Sequence, residues 1–157
     1  MLKNEFIELL NKYNNGNRSL LYQNLISFLI SKFLSFKNDF DFAVEGDGKY
    51  VNICIDNKGL FLFIDLDEDS MNLRYNHSEF YIFINEIYLE ELKLLLENFF
   101  DGNYTIKSFV NKDLIVKQEL TFTNQHLKKY NQVDIYSNKI SNITFEKEGY
   151  NWIDKTR

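Results

Sequence analysis

The stretch DFDFAVEGDGKYVNICIDNKGLFLFIDL, Asp39–Leu66, decides the fold. In its first part Phe40, Phe42 and Val44 alternate with Asp39, Asp41 and Glu45, the period-two pattern of a strand buried on one side. Gly46-Asp47-Gly48 turns the chain, Tyr50–Asp56 returns it, Asn57-Lys58-Gly59 makes a second tight turn, and Leu60–Leu66 runs back. This is an antiparallel meander. Its third strand is apolar on both faces (Leu60, Leu62, Ile64 and Phe61, Phe63), so it is expected at the centre or covered twice. Asp67–Ser78 reads as a polar loop and Phe80–Ile84 as a further strand.

Upstream, Leu2, Phe6, Leu9, Leu10 and Tyr13 recur at helical spacing and Asn14-Asn15-Gly16 ends the pattern. Ser19 caps a second helix whose stripe is Leu21, Leu25, Phe28, Leu29, Phe33 and Phe36, widened by Ile26 and Ile30. Gln23, Asn24 and Lys32 make it too polar to span a membrane. Downstream, Ile87–Phe100 is a helix with Glu86, Glu90 and Glu91 near its positive end and Asp101-Gly102 as its stop. A hairpin follows, Tyr104–Val110 and Leu114–Phe122, turning at Asn111-Lys112-Asp113, with Leu114, Val116, Leu120 and Phe122 facing in. Asn124–Asn131 is a short helix or a loop. Val133–Tyr136 and Ile140–Phe145 close the sheet as strands, and Tyr150, Trp152 and Ile153 anchor the C-terminal segment. The reading is α+β: N-terminal helices, antiparallel β-meander, one central helix, then a β-hairpin and C-terminal strands, in one domain spanning residues 1–157.

Charge is unevenly spread along the 157 residues. Asp39–Asp69 carries nine acids against Lys49 and Lys58, a balance of −7, while 16 bases and 14 acids elsewhere sum to +2 and give the net −5. An acidic lobe favours a basic partner and argues against a general nucleic-acid surface. One cysteine, Cys54, excludes an intrachain disulfide and a multi-cysteine metal site, and among Val51, Ile53 and Ile55 it reads as a buried thiol. The start of the chain lacks a basic segment followed by an apolar one, so the expected compartment is cytoplasm.

No motif assembles a catalytic centre. Asp65-Leu66-Asp67-Glu68-Asp69 opens like a calcium loop, but Ser70 and Asn76 occupy the positions that need Gly and Glu. His77-Ser78-Glu79 has the His-x-Glu of zinc deaminases without their Pro-Cys-x-x-Cys, and His126 has no fixed spacing to it. Asp56-Asn57-Lys58, with Asp47 or Glu45, has the acid-x-lysine order of metal-dependent nucleases, yet a hairpin turn explains it better and acidic surroundings repel a phosphate backbone. Gly46 and Gly48 precede a strand, so they make no phosphate loop. Phe61, Phe63, Tyr81 and Phe83 read as core packing, since a base-stacking platform needs a basic groove.

The helix YLEELKLLLENFF, Tyr88–Phe100, followed by the hairpin strand IVKQELTF, Ile115–Phe122, resembles immunity proteins of bacterial toxin systems. Those are small, often acidic α+β proteins made beside a toxin, which bind it and block its active site. The order of helix (Ser19–Phe36), meander (Phe40–Leu66), helix (Ile87–Phe100) and hairpin (Tyr104–Phe122) also resembles secretion chaperones of the type III class, acidic dimers that bind an effector segment. Their final helix is replaced here by strand-like sequence from Val133 to Trp152. The immunity resemblance implies a non-enzymatic module without cofactor or metal, whose partner is a basic toxin domain rather than nucleic acid or membrane, with a homodimer left open. The expected partner-binding residues are Asp39, Asp41, Glu45, Asp65, Asp67, Glu68 and Asp69, with Tyr75 and Tyr81 adding contact area.

Overall fold

The computed structural model describes residues 1–47, 49–76, 78–85 and 88–155. Gly48 of the first turn, His77, and Glu86 and Ile87 at the start of the expected central helix lie outside the described residues. The fold is α+β, with helices α1 (Lys3–Tyr13), α2 (Leu20–Phe33) and α3 (Leu89–Phe100). Contacts divide the chain into two compact units, Met1–Lys93 with the segment from Ile153, and Leu94–Trp152; the boundary falls inside α3. Among the described residues no helix is long and apolar enough to cross a membrane.

The first unit is built on five antiparallel strands in chain order, β1 (Asp41–Gly46), β2 (Val51–Asn57), β3 (Leu60–Leu66), β4 (Ser70–Tyr75) and β5 (Ser78–Phe83). The β2–β3 turn has both Lys58 (φ 51°) and Gly59 (φ 93°) in the left-handed region, which suits the twist of a two-residue hairpin. Strand β4 corrects the expected loop: Met71, Leu73 and Tyr75 alternate inward, and the turn shrinks to Asp67–Ser70. There the Asp67 carboxylate accepts from the N–H groups of Asp69 (2.8 Å) and Ser70 (2.7 Å), a local bond that makes the reversal tight. Strand β3 is central in the sheet, as its sequence requires, but it is not covered twice.

Helices α1 and α2 bury apolar stripes in the same unit. Ser19 caps α2 by accepting from Tyr22 N–H at 3.2 Å. The Phe6 ring of α1 sits 5.0 Å from Phe42 on β1 and 5.4 Å from Phe33 on α2, so three elements meet at one aromatic cluster. Buried Lys3 donates to the Leu34 carbonyl (3.0 Å) and to Asn38 Oδ1 (2.9 Å), satisfying groups just beyond the C-terminus of α2. Arg18 reaches the Asp47 carbonyl at 2.6 Å, across Tyr22, and fastens the β1–β2 turn.

The second unit holds a separate sheet, ordered β8 (Gln132–Ile135), β7 (Leu114–Phe122), β6 (Tyr104–Asn111), β9 (Ile143–Glu148). The two C-terminal strands therefore flank the hairpin and leave open edges, where closure of one sheet was expected. Asn124 caps a short 3-10 helix, Gln125–Tyr130. Leu114 points to solvent rather than inward, 62% exposed, because the ladder shifts register at Phe109/Val110 and the hairpin tip overruns its core. That core stacks Tyr104 against Phe99 at 5.0 Å and buries Trp152 completely.

Glycine is required where the end of β9 crosses the exit of α3. A Cβ on Gly149 would lie 2.5 Å from the Tyr104 ring and 2.7 Å from the Gly102 carbonyl oxygen. Gly149→Ala therefore overpacks the second core. The expected cost is about 1–3 kcal/mol, read as a lower midpoint in chemical denaturation followed by Trp152 fluorescence.

Candidate functional site

The outer face of the five-stranded sheet leaves most of its side chains partly or fully exposed. Strand alternation sends Phe42, Ile53, Ile55, Leu62, Ile64 and Leu73 inward and leaves the intervening residues on the other side. Among the described residues of the first unit no element covers that side, and its aromatic side chains correct the core-packing expectation. Tyr81 and Phe83 are each 61% exposed, Phe61 is 38% exposed, and Phe63 is half-buried.

The register arranges this face in cross-strand rows. One runs Glu45–Asn52–Asp65–Asn72–Tyr81 across all five strands, and the next runs Ala43–Cys54–Phe63–Arg74–Glu79. Beyond them Asp41 stands opposite Asp56, two like charges on neighbouring strands. Phe61 and Phe63 stack at 5.8 Å along β3, Tyr81 and Phe83 meet edge-on at 5.3 Å along β5, and Arg74 lies 4.4 Å over the Phe63 ring between them. The face thus presents five carboxylates, Asp41, Glu45, Asp56, Asp65 and Glu79, against one guanidinium.

Much of this hydrogen-bonding capacity is unused. Among the described residues the carboxylates of Asp41, Glu45 and Asp65 make no hydrogen bond or ion pair, and Asn72 Oδ1 is buried without a donor. Asn72 Nδ2 donates to Glu79 at 2.9 Å. Two shallow depressions, of about 330 and 340 Å³, share Asn52 and Asp65 as lining, so they adjoin along the sheet as a trough in two parts. Partial burial pushes the Asp65 carboxyl above the usual carboxylate range; Arg74 pulls it down and Glu79 pushes it up by smaller amounts.

The sequence-derived candidates divide by position. Asp41, Glu45, Asp65 and Tyr81 lie on the open face. Asp67, Glu68 and Asp69 form the β3–β4 turn at the Glu45 end of the sheet, where with Lys49 they line a further hollow of about 360 Å³. Asp39 is exposed in the turn before β1, outside the rows. Tyr75 faces the core at 4% exposure, since it has the parity of Met71 and Leu73, and supplies no contact area. Cys54 likewise leaves the core for the open face, half-buried, its thiol pushed up by burial and by Asp56. The residues missed were Phe61, Phe63, Phe83, Asn52, Asn72 and Arg74. Their signal was the unbroken apolar runs of β3 and β5, which mean either two covers or one exposed aromatic side.

Other chemistries are not assembled. Asp47 stands across from Tyr50 at one end of β2 and Asp56 lies at the other end, about 20 Å away at strand rise, so the nuclease acids do not converge. Asp56 accepts from Gly59 N–H at 2.8 Å and serves the turn that holds Lys58. Among the described residues no three His, Cys, Asp or Glu side chains group around a common point for a metal ion. No protein-family model, curated protein or solved structure matches this chain.

The carboxyl of Asp65 makes a pH-dependent prediction. Its folded pKa lies above the unfolded value of about 3.9, so its ionisation opposes folding, and stability falls as pH rises from the unfolded pKa to the folded one. Asp65→Asn should raise the melting temperature at neutral pH. That gain should disappear when scanning calorimetry is repeated below the unfolded pKa.

Proposed function

We propose that this protein is a non-enzymatic binding module of the immunity type, which neutralises a basic toxin by covering it with the open face of the five-stranded sheet. One observation carries the reading: five carboxylates, one guanidinium and four incompletely buried aromatic rings share a single uncovered surface. The acidic β3–β4 turn extends the same sign of charge past the end of the sheet.

Charge and aromatic area do different work. Exposed ion pairs are each worth about 0–1 kcal/mol, so the carboxylates chiefly steer encounter and fix orientation. Burying the free part of Tyr81 or Phe83 is worth on the order of 2–3 kcal/mol before entropy, so the rings dominate the lifetime of a complex. A toxin whose active site binds nucleic acid offers the matching cationic cleft. A phosphate backbone would be repelled by this face.

The test is co-expression with the protein encoded by the neighbouring gene, followed by affinity purification and binding kinetics. The expected result is a complex that abolishes that protein's toxicity. Reversal of both trough carboxylates, Glu45→Lys with Asp65→Lys, should slow association by about 10- to 100-fold at low salt and less at high salt. Tyr81→Ala should mainly speed dissociation. Absence of a complex, or a complex indifferent to all three changes, overturns the proposal.

A further inference from the structure

The outer edge of β9 carries an unused half of an antiparallel ladder. Gly149 N–H donates to the Tyr104 carbonyl, and in such a ladder every second opposed pair is bonded. Following the register from that pair, Lys147, Phe145 and Ile143 direct their backbone groups at β6. Thr144, Glu146 and Glu148 direct theirs away from it, where β9 is the edge of its sheet. All six residues of the strand are exposed, Ile143 by 61% and Phe145 by 49%. An edge of this length with two free apolar side chains is a template for another strand.

The order of side chains selects the occupant. Two copies of one strand, paired antiparallel about a two-fold axis, must oppose residues that face the same side, so the axis passes through a residue. An axis at Glu146 sets the two Glu146 carboxylates face to face, and one at Lys147 opposes two ammonium groups and sets Glu146 against Glu148; both are unfavourable. An axis at Thr144 calls on Asn142, whose N–H already donates to Val110. An axis at Phe145 also brings Asn142 opposite Glu148, but only at the outer ends, and it keeps both inner bonded pairs of Thr144 with Glu146. It packs Phe145 on its own copy, lays the Lys147 stem on Ile143, and sets the Thr144 hydroxyl against the Glu146 carboxylate. The outward N–H and C=O groups of Thr144 and Glu146 then satisfy one another in both directions.

We infer that the chain forms a symmetric dimer in which β9 pairs with β9 of a second copy, centred on Phe145, joining two four-stranded sheets edge to edge. The inference uses residues apart from the proposed docking face. Sedimentation equilibrium of the full chain, carried up to its solubility limit, should give a mass about twice 18.8 kDa. Glu146→Pro removes an outward N–H and no bond to β6, and Phe145→Asp opposes two carboxylates at the axis. Each should return the mass to 18.8 kDa with an unchanged far-ultraviolet circular dichroism spectrum. A parent protein that is monomeric throughout overturns the inference. So does a dimer that survives both substitutions, or growth beyond the dimer into open-ended assemblies.

Discussion

The apolar residues of the five-stranded sheet are buried on the side that meets α1 and α2, and strand alternation makes that single asymmetry sort the interior residues of β1–β5 between core and surface. The aromatic contact of Phe6 with Phe42 and Phe33 is where α1 and α2 commit to the inner side. Once those rings are buried together, Phe42 cannot turn outward without taking Val44 with it and bringing Asp41 and Glu45 in. Ionised carboxylates do not enter an apolar core unpaired. The acidic face is therefore a consequence of where the helices sit.

Several groups on that face are left in positions that do not favour the stability of the isolated chain. Asp41 opposes Asp56, and among the described residues the partly desolvated Asp65 has no hydrogen-bonded partner and the buried Asn72 Oδ1 no donor. Each costs free energy in the isolated chain, and each would be relieved by the donor-rich cationic surface of the proposed partner. Beside them stand Phe61, Tyr81 and Phe83, exposed on the same face, the aromatic area that the proposed docking would use. The second unit has its own open boundary, the β9 edge, where Glu146, Lys147 and Glu148 restrict which strands can be accepted.

The period-two run Asp39–Leu66 made β1, β2, β3 and both faces of β1 legible, because alternation is a direct geometric consequence of the pleat. The cap at Ser19 and the turn at Lys58–Gly59 were legible for the same local reason. Strand β4 was not, since Asp67, Glu68, Asp69 and Ser70 outweigh Met71, Leu73 and Tyr75 when polarity is averaged over the segment. The open face was half legible. Its carboxylates follow from composition, but whether Phe61, Phe63, Tyr81 and Phe83 face a second layer or solvent depends on how many elements are left to cover them. Tyr75 went to the wrong side because its parity is fixed only once β4 is recognised as a strand.

Hydroxyl-radical footprinting of the free chain and of its complex with the neighbouring gene's product tests the docking face most directly. In the free chain Tyr81 and Phe83 should oxidise readily while Tyr75 and Phe80, on the inner side, stay unlabelled. Complex formation should suppress labelling at Phe61, Phe63, Tyr81 and Phe83 together. A complex in which those four rings stay as reactive as in the free chain would contradict the account.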